Sequence, residues 1–283
     1  MKKFIPENIP LKQVLLVSTL GIATLVLIMA MSSYLPYAID WSAVLRPAVF
    51  EVLHGRSPYN AEGYFNPPWT AILLIPFAIL PENLGRATMV LLSLFSYSFV
   101  AYRFGAKRTS IIFLLLSPPV LHVIINGNID WLASLGFILP PQWGLFLVTI
   151  KPQMGIAIIP FWLIEAWRNG GLKLVIKTFS PVTAVSALSF ALFGLWPLKT
   201  SHILELQWNA SLWPISIPIG LALFVSAIRK RKIEYCMAAS PCLSPYVALH
   251  SWVGTLLAIV SSVPEMIAAV VGLWIVVIIR LIT

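Results

Sequence analysis

Apolar segments recur from about Val14 to the last residue, and no polar stretch between them is long enough to form a soluble domain. In hydrocarbon every backbone N–H and C=O must be paired within the chain, so segments of this length are expected to be helices. Composition agrees, because a chain that is 59% hydrophobic and 10% charged has too little polar surface to coat a water-soluble globule. The expectation is an all-α polytopic membrane protein whose residues 1–283 form one transmembrane domain. A formal net charge of +9 would point to nucleic acid in a soluble protein. Here the basic residues fall in short clusters between apolar segments, as topology signals do, and nucleic acid is excluded as a partner. Cys236 and Cys242 form no CxxC pair and have no histidine partners at ligand spacing, so neither a disulfide framework nor a zinc site is indicated.

Lys2 and Lys3 precede an apolar run, 14 to 35, that exceeds the core of a signal peptide and reads as an uncleaved first helix. Four basic clusters follow the rule that cytoplasmic loops retain positive charge: Lys2, Lys3 and Lys12; Arg103, Lys107 and Arg108; Arg168, Lys173 and Lys177; and Arg229 to Lys232. All four share one side only if an even number of crossings separates each from the next. Three apolar stretches lie between the first two clusters: 14 to 35, 67 to 80 and 84 to 102. The middle one, "PPWTAILLIPFAIL", is about 14 residues where roughly 20 are needed, and it carries Pro67, Pro68 and Pro76. It is therefore expected to be re-entrant or interfacial. By the same parity, 110 to 125, 129 to 140, 142 to 151 and 153 to 167 make four passages, which puts Lys151 on the outer side.

Between the first helix and the short segment lies a first outer loop, 36 to 85. Trp41, Val44, Leu45, Ala48, Val49, Val52 and Leu53 recur at helical spacing, so 41 to 54 reads as a juxtamembrane helix kinked at Pro47 and ended by Gly55. Asp40 stands at its start. An aspartate there caps a helix through the free N–H groups of the first turn, or serves as a base.

The ordered landmarks "AIDW", "GRSPYN", "YFNPP", "NGNIDWLASLGF", "TIKPQMGIAIIPFWLIEAWR" and "ASPCLSPYVALHSWVGTLLAI" resemble the GT-C superfamily of membrane glycosyltransferases. Glycosyltransferase family 87, the polyprenyl-phosphate mannosyltransferase-like group, is the most similar. The resemblance runs from about residue 14 to 260 and implies a GT-C-like bundle of about 9–11 transmembrane helices. It makes Asp40 the catalytic carboxylate. On that basis the chain is expected to be an inverting glycosyltransferase, moving a hexose, mannose by the resemblance, from a polyprenyl-phosphate donor to a glycan or glycolipid acceptor on the outer face.

One carboxylate suffices for such a transfer, because the leaving phosphate needs no proton donor. Cations on the outer side would hold that phosphate: Arg46, Arg56, Arg86 and Lys151, of which Lys151 otherwise snorkels to the interface. Further substrate contacts are sought at Glu51, Glu62, Tyr59, Asp130 and His250. Solvated carboxylates, an interfacial aromatic, a helix N-cap at Asp130 and a carbonyl-satisfied histidine are the plainer readings of those five. His122 has only the last. No DxD pair is present, and the expectation is no metal and no cofactor. A multi-pass protein of the plasma membrane follows, with a cytoplasmic N-terminus and membrane lipids around it. At 283 residues the chain is short for the family it resembles, which leaves a reduced, inactive member as one alternative. A transporter or flippase for a lipid-linked glycan is another, and it would show internal repeats and charges at mid-membrane.

Overall fold

The computed structural model describes residues 11–198 and 209–282, and every regular element among them is helical. Lys2 and Lys3, the start of the first basic cluster, lie outside the described residues. Among the described residues three helices are long and apolar enough to cross a membrane: α4 (Glu82–Arg103), α10 (Ile158–Phe193) and Val263–Arg280 within α14 (Val263–Ile282). Counting two bent pairs raises the number to five. The protein is thus a helical membrane protein in which much of the chain runs in helices too short to span alone, where the sequence leads one to expect 9–11 spans.

The first bent pair explains the outer loop. α1 (Leu11–Tyr34) ends at Leu35–Pro36, and the chain turns through 89° into a seven-residue π-helical segment, Ile39–Leu45, continued by α2 (Arg46–Leu53). The expected kink at Pro47 takes this form: Pro47 sits in the first turn of α2, directly after the π-helical stretch, whose wider turn accommodates a residue without an N–H. Trp41, Leu45, Ala48 and Val49 are buried along one face, as the spacing predicts. α3 (Pro68–Ala78) opens on the Pro67–Pro68 pair, packs on α2 and α4, and at 11 residues is about 17 Å long. That length is too short to span, in keeping with a re-entrant or interfacial segment.

α5 (Arg108–Leu115) and α6 (Pro118–Asn126) form the second bent pair, with a 51° break at the double proline Pro118–Pro119. α7 (Asp130–Gly136) and α8 (Pro141–Val148) follow. The sequence suggests separate passages at 129 to 140 and 142 to 151, but 7 and 8 residues give helices of only about 10–12 Å. They form a tight hairpin. A Cβ on Gly144 would lie 2.5 Å from the Gly136 carbonyl, so only glycine permits the approach. An ion pair between Asp130 and Lys151, 3.2 Å, closes the open end. A hairpin adds no net crossing, so the parity of the charge argument is the same with it as with two passages.

After α9 (Pro152–Gly155), α10 is broken at Gly170 (φ −165°) and Gly171 (φ 58°, ψ −153°), so its 36 residues run in two directions. α11 (Ile217–Lys230), α12 (Ile233–Leu243), α13 (Val253–Ile259) and α14 complete the body. Arg231 pairs with Glu165 at 2.6 Å and Arg168 donates to the Ile228 carbonyl at 2.8 Å, tying the break in α10 to the α11–α12 turn. Gly105 lies beside Ser261, joining the α4–α5 turn to the α13–α14 turn. α4 carries Arg103 at the opposite end from Glu82, whose carbonyl is bonded to Trp41, so this basic turn lies one helix length from Asp40.

Candidate functional site

Asp40 lies in the π-helical segment, not in front of it. The N-cap position belongs to Ala38, and no side chain caps the segment. The half-buried carboxylate instead accepts a hydrogen bond from Asn128 Nδ2 at 2.6 Å. Capping is therefore not what Asp40 does here. Asn128 is itself held in one orientation, because its Oδ1 accepts from the Ile129 N–H at 2.6 Å and so turns the amide nitrogen toward Asp40.

Gly127 makes this pairing possible. It ends α6 in the left-handed region (φ 67°), and a Cβ there would lie 2.7 Å from the Trp41 Cβ and 3.3 Å from the Ala38 Cβ. The absent side chain lets the α6–α7 connection press against the π-helical segment. Trp41, fully buried, fixes the other side through its Nε1 bond to the Glu82 carbonyl, 3.2 Å. Asp40 is thus held between two packed elements, and its other oxygen has no hydrogen-bond partner among the described residues.

Asp40 borders a cavity of about 580 Å³, within the usual range for ligand sites, about 300–1,000 Å³. Ile39, Val44, Leu45, Phe65 and Ile150 supply an apolar part of the wall, and Asp40, Glu62, Lys151, Gln153 and His250 a polar one. Such a division suits a ligand with a polar head and an apolar tail. Tyr246 also lines it, and burial pushes its phenol up to about 12, so at neutral pH it is a hydrogen-bond donor and not an anion.

The polar wall is organised from behind by Asp130. Read from sequence as an N-cap, it caps nothing: the residue at that position is Ile129, and the Asp130 carboxylate is fully buried. Lys151 Nζ stands 3.2 Å from Oδ1, while Oδ2 accepts from His250 Nδ1 at 2.8 Å and from Ser251 Oγ at 2.7 Å. Gln153 Nε2 donates to Ser251 Oγ at 3.1 Å. A carboxylate out of water is tolerable only with such partners.

The remaining candidates are placed elsewhere. Arg46 faces α3 and α4, 3.8 Å from Glu82 and stacked over the Phe50 ring at 4.8 Å. Arg86 is buried beneath the segment and donates to the Ile125 carbonyl at 3.0 Å. Arg56 is exposed and paired with Glu51 at 2.7 Å. Its guanidinium, with the Asn60 amide, holds the Glu51 carboxyl down at about 2, which makes Glu51 a poor base. Tyr59 stacks on Trp196, 5.8 Å between centroids, and donates to the Asn66 carbonyl. None of these five lines the cavity; of the four expected cations, Lys151 alone does. Sequence reasoning passed over Asn128 and Gln153, and it left His122 in the background although its ring lies 5.4 Å from that of His250 on the cavity wall. The "NGN" turn around Gly127 was the one available signal. Among the described residues no three His, Cys, Asp or Glu side chains converge as a metal cage. No protein-family model, curated protein or solved structure matches the chain.

Proposed function

We propose that this protein is an inverting glycosyltransferase of the membrane, moving a hexose from a polyprenyl monophosphate to a hydroxyl acceptor, with Asp40 as the base. The observation that carries the reading is one cavity bordered by a carboxylate with a free oxygen and by the ammonium of Lys151. In this scheme the acceptor hydroxyl gives its proton to the free oxygen of Asp40. Its oxygen bonds to the anomeric carbon as the bond from that carbon to the phosphate oxygen breaks, and the electron pair leaves with the phosphate. Lys151 offsets the charge that develops there. The apolar wall of Ile39, Val44, Leu45 and Phe65 gives the first isoprenoid units a surface. The bond from Asn128 orients the base without protonating it.

The ordered motifs that resemble the GT-C superfamily support the same reading, including its extension to mannose, to a glycan or glycolipid acceptor and to the outer face of the plasma membrane. So does the placing of Arg103 at the end of α4 away from the cavity, which under the positive-inside rule is the cytoplasmic one. The test is a transfer assay in proteoliposomes with radiolabelled polyprenyl-phosphate mannose and glucose, with and without EDTA. Label passing to a hydroxyl acceptor, unchanged by chelation, supports the proposal. No transfer from either donor, in vesicles whose protein is folded, rejects it.

A further inference from the structure

Lys151 and Gln153 reach the cavity from the start of α9 and His250 from the α12–α13 connection, about a hundred residues later in the chain. Long side chains from separate loops do not converge unless something holds them. Here all three are tied to one buried group: Lys151 and His250 directly to the Asp130 carboxylate, and Gln153 through the Ser251 hydroxyl, which donates to Asp130 and accepts from Gln153. Asp130 is wholly buried and Ser251 likewise, so neither touches a ligand.

The arrangement also decides which nitrogen of His250 faces the cavity. An ionised carboxylate only accepts, so the Nδ1 that meets Asp130 carries its proton and Nε2 is turned away from it. Among the described residues nothing bonds Nε2, and Lys151 has no partner but Asp130. Three groups with unused hydrogen-bonding capacity thus point from one anchor into one space. They are an ammonium and an amide N–H, which donate, and an imidazole Nε2, which in this tautomer accepts.

We propose that Asp130 is a positioning residue for a lipid-linked phosphate: its carboxylate aims the donors of Lys151 and Gln153 at a single phosphate group in the Asp40 cavity and turns the Nε2 acceptor of His250 into the same space, where it takes a hydrogen bond from a phosphate or sugar hydroxyl. This rests on the transferase reading for the nature of the lipid, but the phosphate site stands or falls by binding alone. The single buried negative charge behind the wall also keeps Lys151 from being an unpaired buried cation while the cavity is empty.

The experiment is binding, not turnover. Wild type and variants in nanodiscs are titrated with undecaprenyl phosphate, undecaprenol, inorganic phosphate and phosphatidic acid, alongside thermal melts of each protein. Wild type is expected to prefer undecaprenyl phosphate to undecaprenol. Asp130→Asn should lower that preference by about 10- to 100-fold, the effect of losing one or two charge-assisted hydrogen bonds, and leave undecaprenol binding unchanged. Ser251→Ala, which loosens Gln153 and Asp130 without touching the ligand, should lower it less and in the same direction. It serves in place of Asp130→Asn if that variant does not fold. Equal binding of phosphatidic acid would make the site one for any phospholipid headgroup, and binding of inorganic phosphate alone one for the free anion; either overturns the lipid-linked assignment. Asp130→Asn or Ser251→Ala protein that melts lower yet keeps the wild-type phosphate preference would show a purely structural role and overturn the proposal. If selective binding is found and depends on Asp130 while no donor sugar is transferred, the transferase reading fails and the positioning role stands.

Discussion

Gly127→Ala tests how the site is assembled, independently of what it does. Alanine at φ 67° carries a left-handed strain of about 1–2 kcal/mol. Its Cβ would also stand 2.7 Å from the Trp41 Cβ and 3.3 Å from the Ala38 Cβ, both attached directly to the backbone of the π-helical segment and its N-cap and unable to swing aside. Relieving that overlap adds about 1–3 kcal/mol of overpacking, for a total of about 2–5 kcal/mol. Gly55→Ala is the matched control: its φ is 72°, but nothing lies within 4 Å of the added methyl, so only the strain applies. Unfolding of both variants by SDS titration in mixed micelles, followed by far-UV circular dichroism, gives the comparison. Gly127→Ala should lose clearly more stability than Gly55→Ala, and the shift that accommodates it should part Asn128 from Asp40. Equal losses in the two variants would refute the claim that close approach at Gly127 builds the site.

Lys151→Met leaves the Asp130 carboxylate with only His250 and Ser251, and should cost about 3–5 kcal/mol in the same titration, where a replacement at an exposed lysine would cost little. Arg56→Ala should leave the apparent KM for donor unchanged, because Arg56 is exposed, bonded to Glu51 and absent from the cavity wall. The Glu51 carboxyl is held at about 2, below its ordinary 4.5, so its pairing stabilises the fold above pH 4.5 and is lost as the pH falls through 2. The difference in melting temperature between wild type and Glu51→Gln should therefore be steady from pH 5 upward and close toward pH 2. Cysteines placed at Glu62 and Glu82 should be labelled by an impermeant maleimide from the same side, since Trp41 and Arg46 hold Glu82 at the cavity end. Labelling from opposite sides would overturn the parity argument.

Local features were legible in the sequence where a single residue dictates backbone geometry. Pro67–Pro68 and the brevity of the next segment marked α3 as unable to span, and the apolar spacing from Trp41 to Leu53 marked the helix that the structure sets at 89° to α1. Which way a side chain faces was not legible. Arg46 and Arg86 share their end of the chain with Lys151, yet helix rotation sends both away from the cavity, and a charge count carries no rotational information. Asp130 looked like a helix cap because "NGNID" contains nothing about His250 and Ser251, some 120 residues later. The α7–α8 hairpin was hidden for a similar reason: uniform apolarity reports residence in the membrane, while the fold-back depends on the Gly136–Gly144 approach and on the ion pair that closes its open end.

The central claim is that Asp40 takes the proton of the acceptor, and the initial rate of Asp40→Asn in the proteoliposome transfer assay, normalised to folded protein, tests it. Asparagine keeps the size of the side chain and an oxygen to accept the bond from Asn128, but it cannot take up a proton. The rate should fall by about 10²- to 10⁴-fold, with undecaprenyl phosphate binding and the melting temperature close to wild type. An Asp40→Asn protein that transfers sugar at the wild-type rate would contradict the account and leave Glu62, the other carboxylate on the cavity wall, as the group to test.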